Sequence, residues 1–273
     1  MNSRKKLPKA ALAILAVIFL MTIFAGVLAP YSPKEMDPSA VSLAPGGKHL
    51  FGTDQMGRDL LSLILYGGRA SLYIGLLSSL ISTTMAVIYG TVSGLAGEKT
   101  DDLLMRFSEL MMSIPSILLI IFLQALWGQA SYLSLSVIIG LTGWMNISKV
   151  VRSEVRQLAG SDYILAAKTM GAGFWYILWR HLLPNFIPSI MFMVVTNIGQ
   201  AMITESTLSF MGLGLPLTEI SWGSLLSMSQ EALLSNQWWM ILLPGSVLMI
   251  TLICMTSLGE YIRKSNSRKY SNL

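Results

Sequence analysis

The amino-acid sequence predicts an all-α membrane protein with six transmembrane helices and both termini in the cytoplasm. Three observations carry that prediction: composition, six long uncharged runs, and the distribution of Lys and Arg. Of the 273 residues, 53% are hydrophobic and 12% are charged, with a mean hydropathy of +0.61; soluble domains carry roughly 25% charged residues. The 19 Lys+Arg and 14 Asp+Glu cannot cover a globule of this length, so lipid covers part of it. An ordinary soluble enzyme is excluded.

About 20 apolar residues are needed to cross roughly 30 Å of hydrocarbon. The first such run is Ala10 to Ala29, preceded by Arg4, Lys5, Lys6 and Lys9 and ended by Pro30. A cleaved signal peptide has a shorter apolar region, about 7–15 residues, so the spacing favours an uncleaved helix. The second run is Ala70 to Gly97, rich in Gly75, Ser78, Ser79, Ser82, Gly90 and Gly94, which suit close helix packing. Glu109 to Lys149 is too long for one helix; Gly128, Gln129, Ala130 and Ser131 split it into a third and a fourth span. The fifth runs from Leu182 to Thr204 and the sixth from Ala232 to Gly259, flanked by Trp238, Trp239 and Tyr261 as an interfacial belt.

Six spans place both termini on one side. The N-terminal arm, the 97–109 loop (Lys99, Arg106), the 149–180 loop (Lys149, Arg152, Arg156, Lys168, Arg180) and the tail (Arg263, Lys264, Arg268, Lys269) hold every basic residue except Lys34, Lys48, Arg58 and Arg69. The rich side is cytoplasmic. The chain divides into an arm, first helix and extracellular segment (1–69), a five-helix domain (70–264) with a long cytoplasmic loop (149–181), and a tail (265–273). The net charge of +5 reflects this orientation; the basic residues form no aromatic-studded patch, so no nucleic-acid partner is expected. Membrane lipid is the expected surroundings.

The extracellular segment holds Gly52-Thr53-Asp54 and Gly57-Arg58-Asp59. Thr53 or Asp54 suits a helix cap, and Arg58 lies between two carboxylates that can tie the loop down. A structured element leading into the second span and a contact with solute or a delivery protein both remain open. In the cytoplasmic loop, Ser161 or Asp162 suits an N-cap, Ile164 through Met170 suit a helix kept low by Ala166 and Ala167, and Gly171 suits its end. A second short helix is expected from Phe174 to His181, with Pro184 at the base of the fifth span. A rigid lever for a partner and a solvated surface helix are equally compatible with this composition.

Glu205 is the only acidic residue near the fifth span, which also carries Asn197 and Gln200; the three form a candidate translocation path, since charge at mid-membrane costs about 2.5–3.5 kcal/mol on insertion scales. Glu205 also reads as an outer-interface residue ahead of Leu213-Gly214-Leu215-Pro216. Cys254 and the 18 Met read as apolar packing. His49 and His181 are expected on opposite faces and offer no metal cage. No G-x-x-x-x-G-K-[ST], H-E-x-x-H or G-x-S-x-G occurs, so this chain is expected to bind no ATP by that loop and to be no hydrolase.

These residues closely resemble the permease subunits of binding-protein-dependent ABC importers, specifically the C-type subunit of oligopeptide, dipeptide and nickel importers. The likeness spans most of the chain. It rests on the two glycine motifs above, on Ala166-Ala167, Gly171 and Leu183-Pro184, and on Leu208 through Gly214 with Ser221-Trp222-Gly223. It implies a type I ABC importer permease fold, like the methionine importer's transmembrane domain. It implies that the cytoplasmic loop docks on an ATPase through Asp162, Leu165, Ala166, Ala167, Gly171 and Pro184. The implied partners are a homologous B-type permease, two ABC ATPases carrying ATP and Mg, and an extracellular solute-binding protein. This chain is expected to hold no cofactor. The implied location is a bacterial or archaeal cytoplasmic membrane, and the implied cargo is peptide, with nickel or a metal chelate as the alternative and a membrane-embedded enzyme as a remote one. Two departures stand out: Leu165 where the motif often has Glu, and His181 where Ile is common. With Asp162 as N-cap, position 165 is N3, and Leu there cannot close a capping box.

Overall fold

The computed structural model describes residues 8–270 apart from 217, 231, 233 and 234, with side chains described as far as Ser265. Arg4, Lys5, Lys6 and the side chains of Arg268 and Lys269 lie outside the described residues.

The first run forms α1 (Lys9–Ile23) and α2 (Ala25–Leu28). The second forms α3 (Leu60–Leu95), which begins well before Ala70 because Asp59 caps it by accepting from the Ser62 amide at 2.8 Å. At 1.5 Å per residue α3 is about 54 Å long, so it reaches past the hydrocarbon at its ends. The expected 97–109 loop is instead helical: α4 (Glu98–Ser113) carries Leu103, Phe107 and Leu110 on one exposed side and buries Asp101 on another. α4 and the apolar α5 (Ser116–Trp127) meet at 89°. The cause is Pro115, which disfavours helical backbone in the residue before it; Ile114 is extended, with ψ 128°.

The split at 128–131 occurs as expected. Gly128 adopts φ +96°, and Ser131 opens α6 (Tyr132–Gly143) with a capping box to Ser134. α6 passes through Trp144 into α7 (Met145–Ala159) with a 47° bend. The long loop expected at 149–181 is therefore largely helix: α7, α8 (Asp162–Thr169) and α9 (Phe174–Ile177). A π turn, Leu178–Leu182, then leads into α10 (Leu183–Phe210). The second short helix does not end at His181; Phe174–Phe210 is one helical run. Pro184 sits in the first turn of α10, and the wider π turn ahead of it absorbs the missing amide donor. α11 (Trp222–Met228) and α12 (Trp239–Tyr270) complete the chain.

Three helical runs are long and apolar enough to cross a membrane, or five counting each bent pair as one span, and Lys9–Ile23 is a shorter apolar helix. α3 is the central post, packed on α6, α7 and α10. Its small residues permit this: a Cβ at Gly75 would lie 2.8 Å from Met202 Cγ, and one at Gly90 would lie 2.6 Å from the Ser148 carbonyl. Three apolar cores follow. The inner one joins Ala86, Val151, Val155, Ile164, Leu182 and Phe186, and the outer one joins Leu60, Leu63, Trp222, Trp239 and Met240. The third joins Ile74, Ile120, Leu135 and Leu208 between α3, α5, α6 and α10.

Candidate functional site

α8 is anchored chiefly by Ile164, with the Tyr163 ring 5.8 Å from that of His181. Ile164 is fully buried in the inner core, while Leu165, Met170 and Gly171 are exposed. Asp162, Ala166 and Pro184 are exposed as well, and Ala167 is half-buried. The helix thus presents an exposed Leu165–Ala166 face. Ser161, not Asp162, occupies the N-cap position; its hydroxyl donates to the Leu158 carbonyl and does not cap. Position 164 is then N3, so the capping-box argument at Leu165 falls. Gly171 ends α8 as expected: at φ +81° its amide donates to the Lys168 carbonyl at 3.0 Å, and Ala172 donates to Ala167.

Behind α8 lies a clamp. The Asp101 carboxylate of α4 is fully buried and accepts from Ser93 of α3 and from Arg152 and Arg156 of α7, with Arg152 Nε at 2.5 Å. The Arg152 guanidinium, above all, holds the Asp101 carboxyl down to about 2, against the opposing effect of burial. The native carboxylate therefore releases its proton at lower pH than in the unfolded chain, near 3.9. Its stabilisation, about 2 kcal/mol, is present above pH 4 and lost as pH falls from about 4 to about 2. Acid titration of the unfolding midpoint should show that loss in the wild type and not in Asp101→Asn.

Halfway along α10, Asn197 and Gln200 line a cavity of ≈480 Å³ shared with both helix breaks: Ser116 at the start of α5, and Thr142 and Asn146 at the α6–α7 bend. Asn197 also donates to Ser82 of α3. Glu205 does not join them. It is fully buried and faces α11, accepting from Ser221 at 2.6 Å, Ser209 at 2.9 Å and Ser206 at 3.4 Å. The Ser221-Trp222-Gly223 segment is built for that contact. Ser221 caps α11, Trp222 is fully buried with Nε1 donating to the Ile64 carbonyl, and a Cβ at Gly223 would lie 2.5 Å from Ser206 Cα.

On the outer face, Thr53, Asp54, Arg58 and Asp59 are all buried. Asp54 accepts from the Met56 and Arg58 amides and pairs with the Arg58 guanidinium at 2.7 Å. Neither Thr53 nor Asp54 caps a helix; Thr53 donates to the Ala40 carbonyl and accepts from the Leu43 amide. Arg58 does not bridge both carboxylates either, because Asp59 takes His49 Nδ1 at 3.0 Å. Gly52 and Gly57 have φ +76° and +75°.

Residues 60–268 match the family described as binding-protein-dependent transport system inner membrane component. The chain belongs to this family. Residues 3–45 of the permease also match the N-terminal TM domain of oligopeptide transport permease C. It is 34% identical to the dipeptide transport system permease protein DppC of Bacillus subtilis over 94% of this chain and 80% of that one. It is 35% identical to the oligopeptide transport system permease protein OppC of Haemophilus influenzae over 95% of this chain and 84% of that one. A solved inward-facing structure of the MetNI methionine ABC transporter covers 75% of this chain and 96% of its own at a TM-score of 0.57 and 16% identity, which supports the type I permease fold.

Sequence reasoning missed the Asp101–Arg152–Arg156 clamp and the contributions of Ser116, Thr142, Asn146 and Thr204 to the permease cavity. The clamp joins residues 51 and 55 positions apart, which no local pattern reports. Ser116, Thr142 and Asn146 sit beside bends, for one of which Pro115 was the available signal, and Thr204 lies one turn beyond Gln200 on α10.

Proposed function

We propose that this chain is one of the two permeases of an ATP-driven peptide importer, forming the translocation path with a homologous B-type subunit. Two ATPases grip α8 and its counterpart, and an extracellular binding protein delivers di- or oligopeptides to the outer face of the cytoplasmic membrane. The observation that carries the reading is the exposed Leu165–Ala166 face of α8, closed by Gly171 and anchored through Ile164 to the core that also holds α7 and α10. A push on α8 therefore reaches the helices lining the cavity, which is what rocking between inward and outward access requires. The cargo class follows that of the relatives, named for dipeptide and oligopeptide transport and about one-third identical over nearly the whole chain. The nickel alternative has no comparable support, since these relatives are named for dipeptide and oligopeptide transport.

The test is uptake of a labelled tripeptide by vesicles holding both permeases, both ATPases and the binding protein. Gly171→Arg strains a left-handed position by about 1–2 kcal/mol and puts a long side chain at the end of the docking face. Uptake should fall at least tenfold with membrane insertion unchanged. Normal uptake by this variant would remove α8 from the coupling role.

A further inference from the structure

The cavity at the two helix breaks is lined by Met, Ile and Leu side chains, three carboxamides (Asn146, Asn197, Gln200) and three hydroxyls (Ser116, Thr142, Thr204), with no Asp, Glu, Lys, Arg or His. Irregular backbone at membrane depth is tolerated where it borders a cavity, and interrupted helices mark the binding stations of many transporters. Here two interruptions, at 113–116 and 143–145, border the same space. Its volume of ≈480 Å³ falls within the range of about 300–1,000 Å³ common to small-molecule sites.

We propose that this cavity is a solute station on the path that holds peptide through neutral carboxamides and hydroxyls and is indifferent to the sign of the peptide's charge. The inference deepens the peptide reading above and rests on it. A carboxamide offers two donors and an acceptor on one side chain, so the same group can donate to a peptide carboxylate or carbonyl and accept from its ammonium or amide. Neutral dipoles lower the cost of carrying a charge through a medium of low dielectric without trapping one sign. The Asn146 and Gln200 carboxamides carry no hydrogen bond within the described residues and are free for this use. No charged side chain of the helices around it enters its lining, and three of the carboxylates on them are held elsewhere: Glu205 by three serines, Glu109 by Lys149 at 3.6 Å, and Asp101 by two arginines. Met111, Met112 and Met145 add a surface that repacks around side chains of different shape.

The experiment compares uptake of tri-alanine with its central-lysine and central-glutamate analogues by the complete complex in vesicles. Each peptide is held at saturating concentration for the binding protein, so that maximal rates are read. Gln200→Glu and, separately, Asn197→Asp place one carboxylate in the cavity. The ratio of lysine-peptide to glutamate-peptide rate should rise at least tenfold over the wild-type ratio in both variants. Because Asn197 also holds Ser82, Gln200→Glu is the deciding variant. A parallel change in all three rates, or an unchanged ratio, overturns the inference while leaving the peptide reading intact. If the wild-type complex takes up none of the three, the peptide reading fails and this inference with it.

Discussion

Alanine at Gly57 should cost the protein about 3 kcal/mol or more and sharply lower the yield of folded permease. A Cβ there would sit 2.0 Å from the Asp37 carbonyl oxygen, backbone against backbone, at φ +75°. No side-chain rotation relieves such an overlap, so the loop must move. Moving it pulls on Asp54 and Arg58, whose pair is 3% and 5% exposed; breaking a buried pair costs about 3–5 kcal/mol. Gly47 in the same segment has open space around it and no left-handed backbone, so Gly47→Ala should stay within about 0.5 kcal/mol. Thermal unfolding of the two variants in detergent separates them. Equal midpoints would mean that the segment around Asp54 and Arg58 contributes no rigidity.

Asp101→Ala should be the second severe substitution, lowering stability by about 3 kcal/mol and uptake more than ATP hydrolysis. The carboxylate joins three helices, and its removal takes from Arg152 and Arg156 their shared ion-pair partner, leaving Arg152 only the weaker pull of Asp102 and Glu109. The arginines are 25% and 43% exposed, so water recovers part of the loss. Lys264, by contrast, pairs with Glu260 in the open at 2.8 Å, and Lys264→Ala should change stability by less than about 1 kcal/mol. With α4 released from α7, motion of α8 would no longer carry α4, and hydrolysis would proceed with less solute moved. A variant that unfolds at a lower temperature yet retains the wild-type ratio of uptake to hydrolysis would confine Asp101 to a structural role.

The membrane helices were legible because hydrocarbon imposes one rule on every residue in a run, so averaging over about 20 positions recovers them. What failed was local. The charges of residues 98–109 suggested a loop, although Leu103, Phe107 and Leu110 recur at helical spacing, the mark of an amphipathic helix. Hydropathy passes over Pro115 without registering the turn it imposes. At the start of α8 two residues able to cap stood side by side, and only the backbone shows that Ser161 occupies the position. Of the candidate path, Asn197 and Gln200 were chosen for polarity and do border the cavity. Glu205 was chosen for the same reason, but points to α11, because polarity does not report which side of a helix is turned inward. Arg58 was expected to pair locally and does so with one carboxylate; the other is taken by His49, a partner ten positions away that the motif does not include.

The right-angled elbow at Ile114–Pro115 has a consequence for the surrounding lipid. The 12 residues of α5 give a rod of about 18 Å, roughly three-fifths of the oily slab's depth. On this flank the protein wall stops short and α4 lies sideways like a sill, its Leu103 and Phe107 turned outward. Below the sill, acyl chains must thin or water must rise to meet the gap.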